Sequence, residues 1–268
     1  MLLSIISFLF LINSVPLQAQ YLDRATVSGF GNLENNAFSD NSYYGVYLNY
    51  FIHKTETFMY GPYASGGISG NSDASGYQGN AKEIGGGILL GWFSNNLFGN
   101  NNFDTWFSPS IGVKYNKDNG NVSLYSGEQE DWLLQAGLDF SLWKRDVLSI
   151  FPRIQLNVNT QIPISEQKTA YWDNVQIKDP VWNKGFLSIS GKLSLVNIPI
   201  SGIFISPKLI GLYNFSKGDR QSTFGPGIEL SIHKPNRDDF VSVYCLYKLS
   251  NINADRLTVG LIINFSAL

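Results

Sequence analysis

A single cysteine, Cys245, stands in a chain of 268 residues, so an intrachain disulfide is impossible and a disulfide-stapled secreted fold is excluded. Surplus positive charge is also missing. The net charge of −2 leaves nothing of the basic footprint that a nucleic-acid partner requires. Histidine is scarce, with His53 and His233 alone. No cluster of Cys or His has metal-ligand spacing, and no Gly-x-x-x-x-Gly-Lys stretch cradles phosphate, so no metal or cofactor is expected. The Asn-rich stretch around Asp40 and the Gly-rich one around Asp73 read as turn chemistry rather than calcium loops. No Pro- or Ser-rich linker divides the chain, which predicts one domain.

Long apolar runs are missing too, with one exception at the start. Leu2 to Leu11 is apolar and is followed by Asn13, Pro16 and Ala19, the layout of a secretory signal cleaved after Ala19. Residues 1–19 are therefore read as signal and 20–268 as the mature domain. No cysteine follows the signal, which argues against a lipidated start. Beyond it no window reaches the ~20 apolar residues of a spanning helix. Even the richest stretch, Phe186 to Tyr213, carries Lys192, Pro199 and Lys208.

What the chain has instead is alternation. Leu257, Val259, Leu261, Ile263 and Phe265 interleave with Arg256, Thr258, Gly260, Ile262 and Asn264; Trp132 to Leu142 and Leu148 to Val158 behave likewise. Segments of ~10 alternating residues between turn signals are the pattern of a transmembrane β-barrel. Twelve strands are expected, near residues 25–31, 42–52, 57–69, 82–94, 104–116, 130–142, 147–158, 186–196, 202–213, 224–233, 239–249 and 255–265. An even number places both ends of the chain on the periplasmic side. The connections between these strands then divide into short periplasmic turns and longer extracellular loops, the longest from Asn159 to Gly185. Pro62, Pro109, Pro152 and Pro207 recur near the start of alternate strands and are expected to mark bulges or entry kinks. Trp92, Tyr115, Trp132, Trp143, Tyr213, Tyr247 and Phe265 lie toward strand ends, as aromatic girdles at the bilayer interfaces do. With this signal, this alternation and a final strand Arg256 to Phe265 that ends in an aromatic, the chain resembles bacterial outer-membrane β-barrel proteins of the porin-like kind. The resemblance implies a closed antiparallel up-and-down barrel in the outer membrane, with lipid as its surroundings.

If apolar faces meet lipid, polar faces meet the lumen. The candidate lumen charges are Glu83, Asp139 and Glu229 against Lys114, Arg153, Lys192, Lys208, Lys248 and Arg256. Antiparallel register predicts three ion pairs, Glu83 with Lys114, Lys208 with Glu229, and Asp139 with Arg153. Lys192, Lys248 and Arg256 are then left over, the last two facing each other on adjacent strands. Unneutralised cations in a lumen favour anions. Gly61, Ser65, Gly67, Ser69, Gly85, Gly87 and Gly91 form a small-residue wall opposite, which leaves room for a water path. In the long loop, Tyr171, Trp172 and Trp182 are candidates for a constriction or for ligand stacking. Two function classes stay open: a passive channel for small, anionic solutes, and a closed barrel that acts in structure, adhesion or assembly through its loops. An outer-membrane hydrolase is the weaker third. Both histidines fall at expected periplasmic ends, and Ser231 beside His233 lacks an orienting third group, so no enzyme is expected.

Overall fold

In the computed structural model the alternating segments become β1 (Arg24–Asn35), β2 (Ser39–His53), β3 (Phe58–Asp73), β4 (Gln78–Ser94), β5 (Phe103–Val122), β6 (Tyr125–Lys144), β7 (Arg153–Trp172), β8 (Val175–Ile177), β9 (Phe186–Ser194), β10 (Ile198–Ile200), β11 (Ile203–Ser216), β12 (Gln221–His233), β13 (Asp239–Ser250) and β14 (Arg256–Asn264). The structure describes residues 24–35, 39–55, 57–94, 102–178, 185–216, 221–234, 239–251 and 255–265; the expected signal, residues 1–19, lies outside them. Twelve of these strands form one barrel, while β8 and β10 are three-residue pieces that pair with β7 and β11. The ladder runs from β1 to β7, through β9 to β11, on to β14, and returns to β1. There Ser28 pairs with Asn264 and Asn35 with Leu257. Closure satisfies the backbone of the wall internally, the condition for crossing hydrocarbon with strands.

Burial is inverted relative to a water-soluble domain. Gln129, Asp131, Ser206, Lys208, Glu229, Ser231 and Thr258 are buried, against few apolar side chains such as Leu89, Leu133, Phe204 and Leu246. Outside, rows of large apolar residues stand exposed: Val46 and Leu48 on β2, Ile84 and Ile88 on β4, Ile111 and Val113 on β5, Ile228 and Leu230 on β12, Val259 and Leu261 on β14. Two stacked sheets would hide such rows from water; here only acyl chains can cover them. Aromatic residues bound the band on both sides. Toward the end of the barrel where β1 starts and β14 stops, Phe58 packs on Tyr60 and Trp92, and Trp92 on Phe107. At the distal end Tyr115 packs on Trp132, with ring centroids 5.2 Å apart, and Tyr213, Phe224 and Tyr247 are exposed at similar height. Phe107 and Tyr115 are separated by roughly 26 Å of strand, or roughly 20 Å along the membrane normal at a tilt of about 40°. With the rings added, this fits the ~25 Å apolar band of outer-membrane barrels.

Several local expectations are overturned. Two distal connections are short rather than long: β5 and β6 meet across Ser123 and Leu124 alone, and β3 and β4 across residues 74–77. The segments 117–122, 125–129 and 159–172, expected as loop, are strand. β5, β6 and β7 are 20 residues each, about twice the ~10 that a membrane span needs. Beyond Tyr115 and Trp132 their surface carries Lys117 paired with Glu128 and Glu130, so this panel of sheet continues into water. At the other end, residues 147–152 form a turn instead of starting β7. Lys144 closes it by donating from its backbone to Pro152 O at 2.8 Å and from Nζ to Ile150 O at 2.6 Å.

The prolines also act differently from the expectation. Pro62 and Pro109 produce no register shift; the ladder skips the pairs beside them and resumes unchanged, from Asn49↔Tyr63 to Ile52↔Tyr60 and from Leu89↔Ser110 to Trp92↔Phe107. A missing N–H removes ladder bonds locally without inserting a residue. Beside Pro109, Ser108 Oγ donates to Leu90 O at 2.6 Å, which supplies the donor that proline lacks.

Candidate lumen and distal vestibule

Inward positions of neighbouring strands fall opposite one another in register, so lumen charges meet across the ladder. Glu83 on β4 pairs with Lys114 on β5 at 2.5 Å, as expected, and also accepts from the Tyr43 hydroxyl on β2. Lys208 on β11 faces Glu229 on β12 directly and lies 3.2 Å from it, the second expected pair. The third does not form as expected. Asp139 falls opposite Asn157 and accepts from its amide, whereas Arg153 falls opposite Trp143 and sits 5.0 Å above its ring. The turn at 147–152 is the reason, because it moves β7 along β6 by several residues. Trp143, expected in a girdle, is thereby a partner of Arg153.

The largest correction concerns the three cations expected to lack partners. Lys248 and Arg256 do face each other in register, but Glu34 on β1 lies between them. It pairs with Lys248, with Arg256 Nη1 at 2.8 Å, and accepts from Thr258 Oγ1 at 3.1 Å. Lys192 pairs with Glu229 at 2.6 Å, and Asp239 joins the same group through Lys208. Lys208 is 2% and Glu229 3% exposed. A buried charge group of this kind persists only when each member is compensated. Glu34 escaped the sequence reading because Asn32 to Asn41 looks like a loop. Its signal was the alternation of Ser28, Phe30, Asn32 and Glu34, which continues to the end of β1.

The small-residue wall is present but not vacant. A Cβ on Gly67 would lie 2.5 Å from Tyr43 Oη, one on Gly112 2.2 Å from Tyr63 Oη, and one on Gly91 2.3 Å from the Trp106 ring. Tyr47 stacks on Tyr63 at 5.7 Å. Aromatic side chains of the lumen thus lie in hollows that the glycines provide. Gly87 has a second role, since a Cβ there would be 2.1 Å from Ile111 O, so β4 and β5 approach more closely than a side chain would allow.

His233 at the terminal end meets Ser206, not Ser231, with Nε2 2.8 Å from Ser206 Oγ, and Asn197 joins them. Ser206 is 0% exposed, so its hydroxyl offers no open face to a substrate. Among the described residues no group of three or more His, Cys, Asp or Glu is placed to hold a metal.

At the distal end of the lumen lies a polar vestibule of about 450 Å³, lined by Glu34, Asn41, Tyr43, Asn71, Tyr77 and Asp118 among others. A separate hollow of about 620 Å³ lies on the outer face of the distal sheet, where Asp40, Gln78, Asn80, Asn119, Glu128 and Thr169 continue the rows of Tyr44, Ile84, Val113 and Trp132. Asn41, Asn71, Asn80 and Asn119 border both, as part of the sheet that separates them. Tyr171 and Trp172 end β7, paired with Ser126 and Tyr125; Tyr171 borders the outer hollow, and Trp182 lies outside the described residues.

No family model and no curated protein matches the chain. Among solved structures it is similar to the translocator domain of the autotransporter NalP from Neisseria meningitidis, with a TM-score of 0.54 and 9% identity over 90% of this chain and 88% of that one. It is also similar to the β domain of the Bordetella autotransporter BrkA, with a TM-score of 0.48 and 12% identity over 91% of this chain and 100% of that one. For the KdgM porin the values are 0.35 and 11%, over 89% and 99%. The NalP likeness is one of fold, and it agrees with the closed wall, the apolar band and the polar interior. The chain has the fold of an outer-membrane β-barrel.

Proposed function

We propose that the protein is a passive outer-membrane channel for small polar solutes with weak charge selectivity, its distal vestibule facing outward. The observation that carries this reading is the polar vestibule opening onto a lumen of ionised side chains enclosed by an apolar band. The pairing of Lys192, Lys248 and Arg256 with Glu229 and Glu34 removes the ground for an anion preference. Fixed charges set channel selectivity through the net field they leave in the path, and here opposite charges lie within contact distance. The layout of residues 1–19, read as a secretory signal, fits export to the envelope. Planar-bilayer recordings of the purified protein test the reading: small, weakly selective conductance steps are expected. Silent membrane-inserted protein, or strong anion selectivity, would overturn it.

A second reading is a closed barrel that works through its outer surface. The 20-residue strands β5, β6 and β7, which continue past the distal girdle, favour it. Silent bilayers together with loss of a cell-surface phenotype on shortening the β5–β6 hairpin would move the function to that panel.

A further inference from the structure

We infer that the lumen holds a site for a small monovalent cation, formed by the Asp139 carboxylate with the Asn159 carboxamide and the Ser110 hydroxyl. Such a site deepens the channel reading and rests on the water-filled lumen it invokes. Glu34, Glu83, Glu229 and Asp239 each have a lysine or arginine within ion-pair distance. Asp139 has none among the described residues; the side chain bonded to it is Asn157, through its amide. Asp139 is nevertheless turned inward, opposite Ser108 and Asn157 in register, and it is exposed. A carboxylate inside a wall that faces hydrocarbon needs compensation. With no fixed cation near it, water and mobile cations in the lumen supply that compensation.

The neutral groups beside Asp139 are placed to assist. Asn157 donates to Asp139, and Asn159 donates to Asn157 Oδ1. The acid therefore orients both carboxamides, each with its N–H toward the negative end, and leaves the Asn159 oxygen as the outer acceptor of the chain. That oxygen leans over Gly137 together with the Ser110 hydroxyl, since a Cβ on Gly137 would lie 2.7 Å from Asn159 Oδ1 and 2.5 Å from Ser110 Oγ. Ser110, Gly137 and Asn159 form the next inward row beside Ser108, Asp139 and Asn157, so the two neutral oxygens and the carboxylate share one stretch of wall. Glycine keeps the space between them open. Tyr47 of β2, stacked on Tyr63, is near enough for the Asp139 charge to act on its phenol, so the field of the carboxylate reaches the wall of glycines and tyrosines. One carboxylate with two neutral oxygens suits a singly charged ion. Calcium takes about six to eight oxygens, commonly with several carboxylates among them, and the described residues offer no such group.

The test uses the purified full-length protein, with the folding of each variant checked by heat-modifiable migration on gels. In planar bilayers under a KCl gradient the reversal potential should report a cation preference of a few-fold, and Asp139→Asn should abolish it. The loss should be large at about 0.1 M salt and small at about 1 M, where the Debye length falls from about 10 to about 3 Å. Asn159→Ala keeps the charge and should reduce the preference by about half. Sodium NMR of the detergent-solubilised protein adds a readout independent of conduction: line broadening that potassium reverses is expected, and most of it should vanish in Asp139→Asn. Broadening that is absent, or that Asp139→Asn leaves unchanged, would overturn the site, as would a conducting barrel whose selectivity that variant leaves unchanged. A barrel that conducts with either result retains the channel reading and loses the site. A silent barrel whose sodium broadening depends on Asp139 does the reverse.

Discussion

The wall formed by β9, β11 to β14 and β1 and the wall formed by β2 to β5 line the same cylinder, but charge orders the first and shape orders the second. Glu229 gathers Lys192 and Lys208 on one side, and Glu34 gathers Lys248 and Arg256. Across from them, Tyr43, Tyr63 and Trp106 settle into the hollows of Gly67, Gly112 and Gly91, and Glu83 with Lys114 is the one ion pair from the expected set on that side. The difference teaches how a lumen can be polar without being strongly charged. Where long cations are used, a carboxylate accompanies them; where none are used, aromatic rings occupy the space.

This contrast can be broken most severely at Glu229. Replacing it with alanine leaves Lys208 buried with Asp239 alone and deprives Lys192 of its carboxylate, so a loss of about 3 kcal/mol is expected. Urea titration of the lipid-reconstituted barrel measures it. The shape-ordered wall should yield to volume instead. Gly87→Val forces a side chain against the backbone of Ile111 and Gly112 and should cost about 1–3 kcal/mol. Gly211→Ala, with nothing within 4 Å of its Cβ, should leave the urea midpoint unchanged. Equal effects at the two glycines would remove shape as the ordering principle.

Glu34→Gln sharpens the comparison without unfolding the wall. It keeps a hydrogen-bonding group but leaves Lys248 and Arg256 uncompensated, so the reversal potential in a salt gradient should move toward anions by a few-fold in permeability ratio. An unchanged potential would show that these cations do not border the path.

The smallest effect concerns the distal turn after β3. Asp73 accepts from Ser75 Oγ and from the backbone of Ser75 and Tyr77, and the Ser75 hydroxyl, followed by these amides, holds its carboxyl below the ordinary range. A lowered pKa contributes stability above the unfolded value, about 3.9, and the contribution disappears as pH falls through the folded value. Amide exchange at 75–77 should therefore quicken in Asp73→Ala at neutral pH, and the variant should match the parent in strongly acidic buffer.

Twelve strands, their order and the outward rows were legible from alternation, because a strand between lipid and lumen must be apolar at every second position. The same rule explains where the reading stopped. Above the girdles the covered face of β5, β6 and β7 is polar like the outer one, with Asp118, Gln129 and Asp131 buried, so Lys117 to Val122 and Gln167 to Thr169 carry no apolar alternation and tight hairpins read as loops. Conversely Leu148 and Ile150 alternate convincingly yet form an exposed turn at the interface, where apolar residues are welcome in any conformation. Of the lumen, Glu83 with Lys114 and Lys208 with Glu229 followed from register alone. Glu34 and Asp239 did not, since each lies at a strand end where a slip of a few residues decides whether a side chain enters the lumen at all.

The central claim is tested most directly by a cysteine scan along β12 from Thr223 to Leu230 in a Cys245→Ala background, with a fluorophore on each thiol and quenchers in either lipid tails or water. The account predicts a period of two, with 224, 226, 228 and 230 quenched from the lipid and 223, 225, 227 and 229 shielded from it. Absence of that alternation, or lipid quenching at no position, would contradict a barrel that turns its apolar faces to the membrane.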